Sequence, residues 1–268
     1  MTSIITLTTD FGLKDGNVGA MKGVIWKIAP HVQIADISHL IAPQNVPEAA
    51  LVIYRAARFF PEGAIHVVVV DPGVGTERRP IAGQVGKQFV VGPDNGVFTR
   101  MIEVCEQNGD PIRFVHLNRP EFWLQQVSYV FHGRDIFAPV AAHLAMGRNL
   151  IDLGTPINDV VRLNLPKPIP TLEGLQGEVI HIDHFGNIST CIMRQDIGDN
   201  RILQVQVKDQ AIEDFVNTFG EKSPGSLVCL FGSNDNLLIC EVNGNAAQRL
   251  QVRVGDVVRV LLEKKDKV

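Results

Sequence analysis

Cysteine is scarce in this chain of 268 residues: Cys105, Cys191, Cys229 and Cys240 are its only four, and no two of them form a Cys-x-x-Cys pair. Nothing therefore calls for a disulfide framework or a thiolate metal site, and buried, reduced thiols are expected. Basic residues are not in excess either. Lys and Arg number 25 against 29 Asp and Glu, a formal charge of −4, so the chain has no field with which to hold a phosphate backbone, and nucleic acid is excluded as a partner. Apolar runs such as Val67–Val70 are strand-sized, far short of the roughly 18 residues a membrane helix needs, so no membrane partner is expected. Thr2–Thr9 alternates polar and apolar residues with no basic residue before it, and Asp10 follows at once. That is not the pattern of a signal peptide, and the expected location is cytoplasmic. Internal repeats and low-complexity tracts are also lacking. What the chain does have is 45% hydrophobic and 20% charged residues, the balance of a globular protein with room for one large or two modest domains.

The first half alternates strands and helices. Ile4–Thr8 reads as a strand, and Val18, Met21, Val24, Ile25 and Ile28 recur at helical spacing up to Pro30. Residues 33–36 form a second strand candidate, an Ala-rich helix is expected from Val46 to Phe60, and Ala64–Val70 has the near-continuous apolar character of a strand buried on both faces. This order predicts an α/β domain with a largely parallel sheet over residues 1–165. The texture changes at Leu165-Pro166-Lys167-Pro168-Ile169-Pro170, where alternate prolines exclude both helix and central strand. Beyond it, short β-like segments separated by turn residues predict a smaller all-β, barrel-like domain over residues 171–268.

Five segments hold residues able to carry chemistry. Asp10, in Thr8-Thr9-Asp10-Phe11-Gly12, stands just past the first strand, where ligands collect in open α/β sheets and where a carboxylate can hold a ribose diol. Asp71-Pro72-Gly73-Val74-Gly75-Thr76-Glu77-Arg78 follows the most buried strand, with glycines that let backbone approach a ligand. It lacks the Gly-Lys-Ser/Thr of a phosphate loop and the third glycine of a dinucleotide fingerprint, and the plainer reading is a turn with Asp71 and Arg78 paired on the surface. His132 lies in Phe131-His132-Gly133-Arg134-Asp135, whereas His66 and His116 sit in β-like runs and read as structural. His181-Ile182-Asp183-His184-Phe185-Gly186-Asn187 invites a metal reading but lacks further ligands nearby. A loop offering Asp183 to a cation and the Asn187 amide to a heterocycle is the alternative. Gly232-Ser233-Asn234-Asp235-Asn236 and Asn243-Gly244-Asn245 read as turns.

Taken in order, Thr9–Gly12, Asp71–Arg78, Phe131–Asp135, Asp183–Asn187 and Asn243-Gly244 resemble the S-adenosylmethionine (SAM) hydroxide adenosyltransferases, hydrolases related to fluorinase and chlorinase, over nearly the whole chain. The resemblance implies that water attacks the ribose C5′ of SAM to give adenosine and methionine, without cofactor or metal. It assigns Asp10 to the ribose hydroxyls and Asp71, Arg78 and His132 to the water. Asp183 and Ser233 are assigned to the methionine ammonium, and Asn187 and the backbone near Asn243 to adenine. It further implies a homotrimer, each site lying between the first domain of one subunit and the second domain of the next. The pattern departs from the halogenases, which carry a hydroxyl residue in place of Gly133 and an aromatic one in place of Asp71, so hydrolysis is expected over halogenation. Asn234 and Gln44 stand where fluorinase has an arginine for the substrate carboxylate and a tryptophan near the ribose.

The chemistry suits such a site. A sulfonium is already a good leaving group, so orientation and a usable water are what remain to be supplied, with Asp71 orienting or accepting a proton through the His132–Arg78 network and an apolar wall from Val74 and Phe131 at the sulfur. Two rivals stand beside this reading: a non-catalytic adenosyl-ligand-binding regulator, and a metal-dependent hydrolase using His181, Asp183 and His184.

Overall fold

The computed structural model describes residues 3–263, which fall into two compact units divided between Asn164 and Leu165. In the first, β1 (Ile4–Thr9), α1 (Asn17–Ile28), β2 (Gln33–Ser38), α2 (Val46–Ala57) and β3 (Ile65–Val69) follow in turn. Then come β4 (Pro80–Val85), β5 (Gln88–Pro93), α3 (Thr99–Asn108), β6 (Ile112–His116), α4 (Ala138–Ala145) and β7 (Thr155–Ile157). The strands lie in the order β2-β1-β3-β5-β4-β6-β7.

The α/β class holds, and the sheet is mixed. Strands β2, β1, β3 and β5 are parallel, whereas β4 runs antiparallel to β5 and β6, and β6 to β7. The antiparallel part arises at Gly86-Lys87, a two-residue turn joining β4 to β5, where Gly86 has φ +61°. Burial follows from the pleat. Val67 and Val69 of β3 face Met21 and Ile25 of α1 and Val140 of α4, while Val68 packs on the other face with Ile53 of α2 and Ile102 of α3. Helix α2 begins where the Asn45 side chain accepts the Glu48 amide, with Pro47 in the first turn.

The second unit comprises β8 (Ile169–Pro170), β9 (Gly174–Ile182), β10 (Ile188–Met193), α5 (Arg194–Ile197), β11 (Arg201–Val207) and β12 (Gln210–Ile212). It continues with β13 (Leu227–Phe231), β14 (Asn236–Glu241), α6 (Ala246–Leu250) and β15 (Val257–Glu263). The order β12-β11-β15-β9-β10-β14-β13 is antiparallel throughout. Just past β12 the chain reaches β13: the Cys229 amide donates to Asp214 O (2.8 Å) and the Val216 amide to Cys229 O (2.9 Å). These bonds join the two ends of the sheet and make it barrel-like and nearly closed, which leaves little open edge. The proline-rich stretch contributes only the two-residue edge strand β8, where Pro170 need not donate. Among the described residues, no helix is long and apolar enough to cross a membrane.

His66 is fully buried in β3, its Nδ1 2.7 Å from the Thr6 hydroxyl, and burial pushes its pKa down to about 4. Because the folded pKa lies below the unfolded one, stability is complete above about pH 6.5 and is lost as pH falls toward 4. That loss amounts to roughly 3 kcal/mol. Urea titrations at a series of pH values should give a shallower acid decline for His66→Gln than for the natural sequence; identical declines would contradict this.

Candidate active site

The chain passes from β1 through α1 to β2 on one side, then through α2 to β3 on the other, so the order of strand addition reverses between the parallel strands β1 and β3. A crevice opens at the carboxyl ends of strands at such a point. Thr9 is paired with Val69, so the segments beginning at Asp10 and Val70 leave the sheet side by side. Asp10 is half-buried, and its Oδ2 accepts the Gln44 amide at 2.8 Å. Gln44 adopts the left-handed φ of +63°, and the turn around it is held by Glu48, whose Oε2 accepts from the Ala42 amide (3.0 Å) and the Asn45 side chain (3.2 Å). One oxygen of Asp10 is thus anchored by backbone.

Asp71, Arg78 and His132 come together as one network. Arg78 Nε donates to Asp71 Oδ1 at 2.9 Å and Nη2 to Oδ2, and the same Nη2 lies 2.9 Å from Nδ1 of His132. With side chains only 10% and 5% exposed, Arg78 and Asp71 are not the surface pair of the plainer reading. A buried ion pair is weak evidence for stability, because desolvation offsets much of its attraction, and a perturbed group in a crevice points to function. Arg78 Nη1 is buried without a hydrogen-bond partner. Burial, and then the Arg78 charge, lower the pKa of His132, while Asp71 and Asp135 act in the opposite sense.

His132 precedes a wide π turn, Gly133–Phe137, that leads into α4. Within this turn Asp135, fully buried, accepts from Arg134 Nε (2.6 Å) and from the Ser128 amide (2.8 Å), while its carbonyl receives the Leu124 amide. Ser128 Oγ in turn accepts the Phe131 amide, and the Phe131 ring meets Phe11 edge-on at 5.6 Å. A single carboxylate thereby fixes the segment between Leu124 and His132, with Phe131 against the residue after Asp10. Gly75 completes the arrangement: its φ is +77°, and a Cβ there would stand 2.3 Å from Tyr129 O.

In the second unit, Asp183 and Asn187 share one loop. Asp183 Oδ1 accepts the amides of Phe185 and Asn187, both at 2.9 Å, and Oδ2 accepts the Asn187 side chain at 2.8 Å. This loop touches the segment after β14, since the Ala247 amide donates to Gly186 O, and a Cβ on Gly186 would lie 2.1 Å from Asn245 Oδ1. Asn243, at φ +54°, is therefore brought to the same end as Asp183 and Asn187. Ser233 is not. It lies in the β13–β14 turn, at the opposite end of β14 from Asn243. Among the described residues, no three His, Cys, Asp or Glu side chains are grouped to hold a metal, so the metal-dependent rival gains no support.

The sequence model of the SAM hydroxide adenosyltransferase N-terminal domain matches residues 5–154, and that of the C-terminal domain matches residues 177–259. The chain belongs to the SAM hydroxide adenosyltransferase family. It is 38% identical to the (R)-S-adenosyl-L-methionine hydrolase of Salinispora tropica, with 97% of this chain and 98% of that one covered. It is also 31% identical to a fluorinase of an Actinoplanes species, over 81% and 80% of the two chains. A crystal structure of an uncharacterised conserved protein from Thermotoga maritima superposes with a TM-score of 0.86 at 37% identity, covering 96% of this chain and 99% of that one.

For this family member, sequence reasoning missed Ser128 and the anchoring role of Asp135, because nothing in the local spacing of Arg134 and Asp135 signals that the carboxylate is buried. It also missed Asn95, whose side chain donates to Val70 O at 2.9 Å just before Asp71; the Pro93-Asp94-Asn95-Gly96 turn was the available signal. A cavity of about 370 Å³, lined by Tyr54, Phe60, Met101 and Cys105 among others, lies at the opposite end of the sheet from the crevice. Gly75→Ala combines a left-handed backbone with a clash against Tyr129 O. It should cost about 1–3 kcal/mol of stability and lower activity, as read by urea denaturation and turnover; an unchanged protein would show that the two loops do not constrain each other.

Proposed function

We propose that the chain hydrolyses S-adenosyl-L-methionine by attack of water on ribose C5′, releasing adenosine and methionine. The observation that carries this reading is the buried Asp71–Arg78–His132 network beside Asp10 at the crevice of the sheet, in a chain related over its full length to proteins named as hydrolases of this substrate. Asp10 holds the ribose hydroxyls; one of its oxygens is braced by Gln44, which fixes the carboxylate for the diol. Asp71, Arg78 and His132 position the water in line with the C5′–sulfur bond. The sulfonium needs no acid, so placement supplies most of the catalysis. Phe131 and Val74 offer an apolar wall, which leaves the sulfur charge unsolvated in the ground state.

Asp183 takes the methionine ammonium. Its oxygens offer about four acceptor positions, and three are used within its loop. Asn187 and the backbone at Asn243 meet adenine. Hydrolysis is favoured over halogenation because no hydroxyl stands at Gly133, where a Cβ would meet Val69 Cγ1 at 3.2 Å and Met21 Sδ at 3.4 Å. The names of the relatives specify the (R) sulfonium epimer, and we extend that preference to this chain. Four apolar side chains at the rim of the crevice, Leu13, Leu40, Tyr129 and Val130, are 69–83% exposed. Exposed apolar surface of that kind favours a cover, in keeping with a homotrimer whose sites are completed by the second unit of a neighbouring subunit.

Incubation with a mixture of the two sulfonium epimers, followed by chromatography, should yield adenosine and methionine with the (R) epimer consumed first. Survival of both epimers in a bound state would favour the regulator instead. Loss of two charge-assisted bonds in Asp10→Ala should weaken adenosine by about 10²–10⁴-fold, and calorimetric binding within about threefold of the natural protein would make Asp10 a turn residue. Mixing inactive Asp71→Asn and Asp183→Ala subunits should restore some turnover. No recovery despite demonstrated exchange would put each site within one chain.

A further inference from the structure

Strands β1 and β2 pair in regular register from Ile4–Gln33 to Leu7–Asp36, and then Thr8 stands opposite Ser38. Ile37 is therefore an extra residue in β2, a bulge of the kind that re-aims a side chain near a site. Its effect is to bring His39, and not Ser38, beside Thr9. His39 is buried, and its Nδ1 lies 2.9 Å from the Thr9 hydroxyl, whose oxygen also accepts the Phe11 amide at 3.2 Å. The carbonyl of the same histidine accepts the Gly12 amide at 2.8 Å. We infer that His39 is the positioning residue of the ribose site: it grips the chain on both sides of Asp10 and so sets the direction of that carboxylate toward the two hydroxyls. This deepens the proposed role of Asp10 and rests on it.

The directions of the hydrogen bonds follow from the donors available. Thr9 is fully buried, and its hydroxyl has one proton and two lone pairs. The Phe11 amide donates to the oxygen, so the hydroxyl proton finds its acceptor in Nδ1 of His39, and the ring proton then stands on Nε2. Nε2 lies 3.0 Å from Oδ1 of Asp36, whose Oδ2 is held by Lys22 at 2.6 Å. Burial pushes the Asp36 carboxyl up, but Lys22 and His39 more than offset it and keep its pKa low, so the ring proton faces an anion. A chain of contacts thus runs from Lys22 on α1 through Asp36, His39 and Thr9 to the backbone at Phe11. Thr9 and His39, being buried, act through Asp10 and not on the nucleoside. Gln44, five residues beyond His39, supplies the amide that occupies Oδ2 of Asp10. Residues 39–44 therefore hold the carboxylate at one oxygen and its chain on both flanks. A carboxylate with so little freedom meets a diol without having to be ordered on binding, and affinity is gained by avoiding that cost.

Calorimetric titration of the full chain with adenosine and with 2′,3′-dideoxyadenosine tests this without turnover. The natural protein should prefer adenosine by about 10²–10⁴-fold, the value of two charge-assisted bonds. Thr9→Val keeps the shape of the side chain and removes its hydroxyl. The preference should then fall by at least about tenfold, through weaker adenosine binding with dideoxyadenosine little changed. Thr9→Ser, which restores the hydroxyl, should return the preference to within about threefold of the natural value. A merely structural role would weaken both nucleosides alike, so an unchanged preference, or an equal loss for both, overturns the inference. Should Thr9→Val fail to fold, Asp36→Ala takes its place: that side chain is 40% exposed, and its removal releases Nε2 of His39. The preference should fall in this variant too, and its persistence would overturn the inference equally. If the natural protein itself does not prefer adenosine, Asp10 is not the ribose ligand and the role of His39 falls with it, a result told apart because it appears before any substitution is made.

Discussion

Arg78 is nine-tenths buried, and a cation in that position must be neutralised and hydrogen-bonded where it stands. Asp71 meets the requirement through two parallel bonds, and His132 takes one more. Each partner is fixed by a different part of the fold. Asp71 follows β3, the strand buried on both faces; Arg78 ends a loop that can approach Tyr129 only because residue 75 is glycine; and His132 opens the π turn that Asp135 anchors. The crevice between β1 and β3 then adds Asp10 beside them. Disturbing the guanidinium would loosen a loop, a strand end and a helix entrance together.

The two units contribute unlike surfaces. The first supplies buried charge at strand ends. The second supplies a tight loop in which Asp183 and Asn187 are bonded to each other and braced by the segment around Asn245. That loop spends most of its polar groups on itself, which gives a rigid edge able to present one carboxylate position and one amide oxygen. Rigid presentation of a few polar groups is what orientation of a substrate requires.

Much of this was legible in the sequence. The helical recurrence of Val18, Met21 and Ile25 and the unbroken apolar run of β3 correspond to real elements because burial on one helical face and on both strand faces leaves a periodic trace. The antiparallel strands β4 and β7 left no such trace, β6 showed only as the β-like run ending at His116, and β8 and β12, two and three residues long, are too short to show any period. At the site, the order of Asp10, Asp71, Arg78 and His132 was readable, but the burial of the Asp71–Arg78 pair was not: a seven-residue separation looks the same on a surface turn. Ser233 and Asp183 were read together as ammonium contacts, and only the register of β10, β13 and β14 reveals that they stand at opposite ends of β14. Pairing register is a long-range property, invisible to local spacing.

The central claim is that this site delivers water to the ribose carbon of a sulfonium. Turnover of S-adenosylmethionine in ¹⁸O-water, followed by mass spectrometry of both products, tests it most directly. One ¹⁸O atom in the 5′-hydroxyl of adenosine, with unlabelled methionine, is the predicted result. S-adenosylhomocysteine as the main product, or adenosine without the label, would contradict it.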